Sequence, residues 1–207
     1  MEACDNTLKD LQLSYLDLYL IHWPITQDPI TKMNRIDLDQ LKKTWKDMER
    51  LVECGKAKSI GVSNFTIGLL KELLPTCKIK PAVNQVELHP YLPQQELVDF
   101  CKQNGIALTA YSPLGSRPGQ NSVLDDPVIA KIAQKNSKTP AQVLISWAVQ
   151  RGTVVIPKSR NADRIKSNFE LFEISDEDFA SINQLGVKNT RYVDPKTWAN
   201  VDLFGLY

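Results

Sequence analysis

The chain has 207 residues, of which 43% are hydrophobic, 24% charged and 8% aromatic, a globular composition that excludes disordered, collagen-like and disulfide-scaffold classes. Twenty-five Lys and Arg against 24 Asp and Glu leave a formal charge of +1, so no whole-molecule field draws the chain to nucleic acid or an acidic membrane. Any anion site must be local.

The four cysteines, Cys4, Cys54, Cys77 and Cys101, have no CxxC spacing and sit in or beside apolar or helical patterns, as small buried hydrophobes do; a reducing, cytoplasmic setting fits them. Residues 1–20 carry Glu2, Asp5, Lys9, Asp10 and Asp17, which interrupt any signal-peptide core, and no apolar run is long enough to span a membrane. The expectation is a soluble protein with no membrane partner.

In chain order, one unit repeats: a short apolar run, a polar break, then an amphipathic helix. The runs are Leu16–His22, Ser59–Ser63, Ala82–Glu87, Ile106–Ser112 and Thr153–Lys158, apolar enough for parallel strands buried on both faces. The helical patterns cover Leu38–Cys54, Ile67–Leu74, Gln94–Asn104, Pro127–Lys135, Pro140–Arg151 and Ala162–Asn168. Gly55, Gly105 and Gly152 each follow a helix, where a left-handed terminator is wanted. Alternation of this kind predicts an α/β fold with a parallel sheet and a single domain over 1–207.

An open doubly wound sheet and a closed barrel both satisfy that pattern. No GxGxxG or GxxxxGK fingerprint is present, which counts against the dinucleotide-binding and P-loop versions of the open sheet. Polar residues instead stand at the end of every run: His22, Ser63 with Asn64, Gln85, Tyr111 with Ser112, and Lys158 with Ser159. A polar rim at strand C-termini is how a (β/α)8 TIM barrel builds its site.

The blocks LQLSYLDLYLIHWP (11–24), MERLVECGKAKSIGVSNF (48–65), VNQVELHPYLPQ (83–94), AYSPLG (110–115) and IPKSRNADRIKSN (156–168) resemble, in order and spacing, motifs of the aldo-keto reductase family. The resemblance implies a (β/α)8 barrel whose first three strands precede this chain, so that a partial barrel of about five βα units is expected, with 186–207 as its C-terminal loop. It implies NADPH-dependent reduction of an aldehyde, ketone or sugar carbonyl, a small-molecule substrate and no nucleic acid. It also implies that the tyrosine, lysine and aspartate of the proton relay belong to the preceding segment, leaving activity uncertain and two strand edges open to self-association. A non-catalytic NADP(H)-binding module is the rival reading, and a phosphate-binding aldolase or isomerase using Lys158 is a second.

By resemblance His22 is the catalytic histidine, its imidazole aimed at a carbonyl oxygen; a histidine bonded to barrel backbone is the alternative. Ser63, Asn64 and Gln85 resemble the trio that hydrogen-bonds the nicotinamide carboxamide. Tyr111 resembles the aromatic that stacks on the ring, against the alternative of an ordinary strand aromatic. Ser112, Leu114 and Ser116 resemble a loop over the pyrophosphate, although SPLG is also a common turn.

At and beyond the end of the last run, Lys158 and Arg164, with Arg160, suit the 2′-phosphate of NADPH beside a helix N-terminus, and Ile156 and Ser159 complete the cofactor-binding set there. Arg160 and Lys166 can equally be solvated surface charges. Asn168 resembles the residue at the adenine edge, and Trp23 and Trp198 resemble substrate-pocket aromatics. Tyr15, Tyr19, Trp45 and Trp147 read as packing residues and His89 as a structural loop histidine. With two histidines and no ligand spacing, no metal site is expected.

Overall fold

A computed structural model describes residues 1–115 and 122–206, so Ser116 lies outside the described residues. The elements run α1 (Glu2–Leu11), β1 (Leu16–Ile21), β2 (Thr26–Gln27), β3 (Asn34–Arg35), α2 (Leu38–Glu53), β4 (Ala57–Ser63), α3 (Ile67–Leu73), β5 (Val83–Glu87) and α4 (Gln95–Gln103). They continue with β6 (Ala107–Tyr111), α5 (Pro127–Lys135), α6 (Pro140–Gln150), β7 (Val154–Val155), α7 (Ala162–Ser167), α8 (Asp176–Gln184) and α9 (Leu203–Leu206). The five anticipated strands form one sheet ordered β1-β4-β5-β6-β7. Contacts gather into two compact units, residues 1–84, 99–107 and 194–207 in the first, and 85–98 and 108–193 in the second.

In the first unit, β1 and β4 pair in parallel from Leu16 opposite Ala57 to Ile21 opposite Val62. Gly61 is required by close approach, because a Cβ there would stand 2.6 Å from the Val83 carbonyl oxygen and 2.7 Å from Leu20 Cδ2. Helix α2 begins where the Asp37 side chain accepts from Gln40 N at 3.0 Å, and it buries Leu41, Trp45, Met48 and Leu51 along one stripe. Each such apolar side chain contributes about 1.5–3 kcal/mol on burial. The Trp45 indole donates to Ile79 O at 3.1 Å, and Glu49 accepts from Lys78 N and Ile79 N, so α2 also fixes the approach to β5.

In the second unit, β6 and β7 pair in parallel through Thr109–Val154 and Ala110–Val155. Helix α6 opens on a capping box between Thr139 and Gln142 and buries every residue from Gln142 to Ala148. Trp147 donates to Asn183 Oδ1 at 2.9 Å, tying α6 to α8. Trp45 and Trp147 are therefore packing residues, as anticipated.

Gly55, Gly105 and Gly152 have φ of 72°, 71° and 85°, the terminating conformation anticipated for them. Three features depart from expectation. The last strand is two residues long, with only the Ile156 N to Ala110 O bond continuing it. Cys54 is exposed, whereas Cys4 and Cys101 are buried and burial pushes the Cys101 thiol up to about 11. The β2–β3 hairpin and α8 were not anticipated; the hairpin turns on Asp28, whose carboxylate accepts from Ile30 N and Thr31 N, with Lys32 at φ 59°.

Candidate functional site

In the first unit, the ends of β1 and β4 carry the chemistry. His22 follows β1 and is exposed; Ser63 closes β4 and Asn64 follows it, both buried. Asn64 takes the left-handed conformation, φ 64°, which asparagine tolerates better than most residues. Its amide donates to His22 O at 3.0 Å and to Ser63 Oγ at 3.1 Å, so one side chain ties three anticipated site residues together.

The next residue, Phe65, is held at both backbone groups by Asn84, which is 0% exposed: Asn84 Nδ2 donates to Phe65 O at 2.9 Å, and Oδ1 accepts from Phe65 N at 3.4 Å. In the sequence Asn84 shows only as an amide inside the apolar run AVNQVE, with nothing to mark the partner it finds. Trp23 packs edge-on against Trp198, ring centroids 5.3 Å apart at 72°, and its ring lies 6.2 Å from that of His22. The two anticipated pocket aromatics thus form one wall beside the histidine.

In the second unit, Gln85 is half-buried in β5 and Tyr111 ends β6. Burial, reinforced by the Glu87 carboxylate, holds the Tyr111 phenol well above the ordinary tyrosine range, so it stays neutral. Its flat face rather than its acidity is what it offers. Ser112 has φ 48°, and Gly115 N donates to Ser112 O at 2.9 Å, making SPLG a closed turn with Leu114 half-buried inside it.

After β7, Ser159 Oγ accepts from Asn161 N, and Asn161 Oδ1 accepts from Arg164 N at 2.9 Å to cap α7. Lys158, Arg160, Arg164 and Lys166 are exposed, and among the described residues none of them is in an ion pair. The anticipated helix N-terminus is weaker than expected. Helix α7 has six residues, so its dipole is small and the cations must carry the attraction for an anion. Asn168, just past α7, lines a mostly apolar cleft of about 240 Å³ with Val155, Pro157, Ile165 and Phe169.

Each unit carries groups of the kinds NADP(H) calls for: a hydroxyl and an amide at a strand end in the first, and an amide, a neutral aromatic and four cations outside the ion pairs of the described residues in the second. Elsewhere, His89 is 0% exposed with Nε2 2.9 Å from Glu87 Oε1, a structural histidine as anticipated. Tyr15 packs under Lys58 Nζ at 4.1 Å.

The model of the Aldo/keto reductase family matches residues 1–187. The chain belongs to that family. It is 46% identical to a Saccharomyces cerevisiae protein named glycerol 2-dehydrogenase (NADP(+)) over 98% of this chain and 70% of that one. It is 48% identical to aldose reductase B of Dictyostelium discoideum over 97% of this chain and 68% of that one. Its fold superposes on the aldose reductase of Giardia lamblia with a TM-score of 0.89 at 39% identity, covering 98% of this chain and 72% of that one. The fold is that of the family's (β/α)8 TIM barrel. The comparisons lend no support to a non-catalytic module, and family membership removes the aldolase or isomerase reading.

Proposed function

We propose that this chain works as an NADP(H)-dependent carbonyl oxidoreductase, its 207 residues acting as one barrel-type domain with 186–207 as the C-terminal loop. The observation that carries the reading is Asn64, which joins the His22 strand end to Ser63 in a backbone conformation that orients the amide. Ser63, Asn64 and Gln85 would hold the nicotinamide carboxamide, and Tyr111 would face the ring. Ser112 and Leu114 would cover the pyrophosphate, as would Ser116 outside the described residues. Lys158, Ser159, Arg160 and Arg164 would take the 2′-phosphate, with Ile156 a cofactor contact at the strand end before them and Asn168 at the adenine edge.

When bound, the nicotinamide supplies or accepts the hydride. His22 positions the carbonyl oxygen and stabilises charge developing on it, and because the imidazole is exposed the proton that completes the alcohol reaches that oxygen from solvent. Trp23 and Trp198 keep that side of the pocket apolar and exclude water. The relatives named for glycerol 2-dehydrogenase and aldose reductase make small polyol and sugar carbonyl pairs the first substrates to test.

A cytoplasmic setting accords with four free thiols, and among the described residues no helix is long and apolar enough to cross a membrane. Strands β1 and β7 end the sheet order, and the exposure of Leu18, Val154 and Ile156 supports self-association at those edges, which sedimentation would read. The test of the main reading is a fluorescence titration with NADPH and NADH alongside turnover of an aldehyde. NADPH binding at least tenfold tighter than NADH, with His22→Ala lowering turnover and not cofactor affinity, is the expected result. Equal affinity for the two dinucleotides, or none, would overturn it.

A further inference from the structure

Strand β5 ends in Glu87, a carboxylate that is 0% exposed. Its Oε1 accepts from Tyr192 N at 2.8 Å and its Oε2 from Val193 N at 2.9 Å. The His89 Nε2 lies 2.9 Å from Oε1, and His89 Nδ1 has no hydrogen-bond partner among the described residues. A glutamine of the same size presents one acceptor oxygen and an NH2 group, so it cannot accept from the Tyr192 and Val193 amides on two separate oxygens as the carboxyl group does. The residue type is therefore set by the donors converging on it, above all the two backbone amides of 192–193.

Neighbouring contacts act on the same stretch of chain. Lys188 Nζ donates to Asp126 Oδ2 at 2.8 Å and to the Tyr91 hydroxyl at 2.6 Å. Thr190 N donates to Tyr91 O at 2.8 Å, and the Arg191 guanidinium to Gln94 Oε1 at 3.4 Å. The Gln94 amide donates back to Glu87 O at 2.6 Å. Residues 188–193 thus lie strapped along the loop 87–94, with Glu87 at the last buckle. Five residues further on comes Trp198, the partner of Trp23.

We propose that Glu87 is a positioning residue that straps Lys188–Val193 onto the loop following β5 and thereby sets where the C-terminal segment carrying Trp198 begins. Gln85 stands two positions earlier on β5, on the same strand face, so the strap and the proposed nicotinamide contact share one rigid element. The consequence for substrate binding rests on the function proposed above; the strap itself does not.

The test uses the full chain with Glu87→Gln and, because a buried substitution can fail to fold, Val193→Pro, which deletes one donor and leaves the buried charge in place. Amide hydrogen exchange is followed across 188–200, with and without NADPH, together with thermal melting. Exchange at the Tyr192 amide should rise at least tenfold in both variants, and the Val193 amide should follow in E87Q. NADPH affinity should change less than threefold, and the KM for an aldehyde should rise more than kcat falls. Unfolding of E87Q together with tail release in V193P also supports the strap. Unchanged exchange in both variants overturns it, as does an E87Q collapse accompanied by a fully protected V193P tail. If the unsubstituted chain fails to bind NADPH, the proposed function falls while exchange without cofactor still reads the strap.

Discussion

The loop after β4 and the loop after β7 both present polar groups at a strand end, but they are built on opposite plans. After β4, Asn64 is 3% exposed, held in a left-handed turn, and its amide is committed to His22 O and Ser63 Oγ. After β7, the side chains of Lys158, Arg160 and Arg164 project into solvent, and α7 buries none of its residues. The first region is organised before any ligand arrives, so its geometry is set by folding. The second gathers charge without fixing it, so at the proposed site an anion would have to order it, at the entropic cost of stilling long side chains.

Removing the charges should break the comparison most visibly. Lys158→Met with Arg164→Met deletes two groups for which charge-assisted bonds contribute about 1.5–3 kcal/mol each. NADPH affinity should fall by roughly 100-fold or more while NADH affinity moves less than about threefold, since 1.4 kcal/mol is a factor of ten. The melting temperature should stay put, because neither side chain is buried. A melting shift as large as the affinity loss would mean the second region is prebuilt like the first.

At the locked end, Asn64→Ala should cost about 2 kcal/mol of stability through lost hydrogen bonds and a strained positive φ. Asn64→Gly should recover the part due to backbone strain but not the part due to the amide. Chemical denaturation of the two variants separates these contributions. Identical midpoints would assign the effect wholly to the lost amide.

The smallest expected effect concerns acid. Burial pushes the Asp126 carboxyl up, but hydrogen bonds from Lys188, Tyr91 and Val128 N outweigh it and hold the group below its ordinary value. A depressed carboxylate adds stability above its unfolded pKa, about 3.9, and that stability disappears as pH falls through the lower folded value. Acid below about pH 3.9 should therefore loosen the Lys188 anchor, and Asp126→Asn should flatten that part of the pH profile. An unchanged profile would show that the anchor rests on packing alone.

Much of this was legible in the letters because the relevant signals are local. The runs at 16–22 and 106–112 are apolar and β-rich, and Gly55, Gly105 and Gly152 stand where left-handed terminators belong. Trp45 and Trp147 repeat at helical spacing among other apolar residues and are buried accordingly. What stayed hidden depends on where a polar atom finds its partner. Asn84 and Glu87 look alike as polar letters in VNQVE, yet one secures Phe65 and the other reaches backbone 105 residues away. Exposure was equally hard to foresee, as with Cys54, which follows an amphipathic helix but falls on its wet side. The charged block 158–168 was readable as a cluster, while the brevity of α7 was not, because helix length there depends on packing that the segment lacks.

The edge-on indoles of Trp23 and Trp198 give the molecule a built-in optical gauge. Two such chromophores held close at a fixed tilt couple their transitions and produce a paired near-ultraviolet dichroism band whose sign and amplitude follow their mutual orientation. A change in the position of the tail would alter that orientation, so near-ultraviolet dichroism of the unlabelled protein would read it directly.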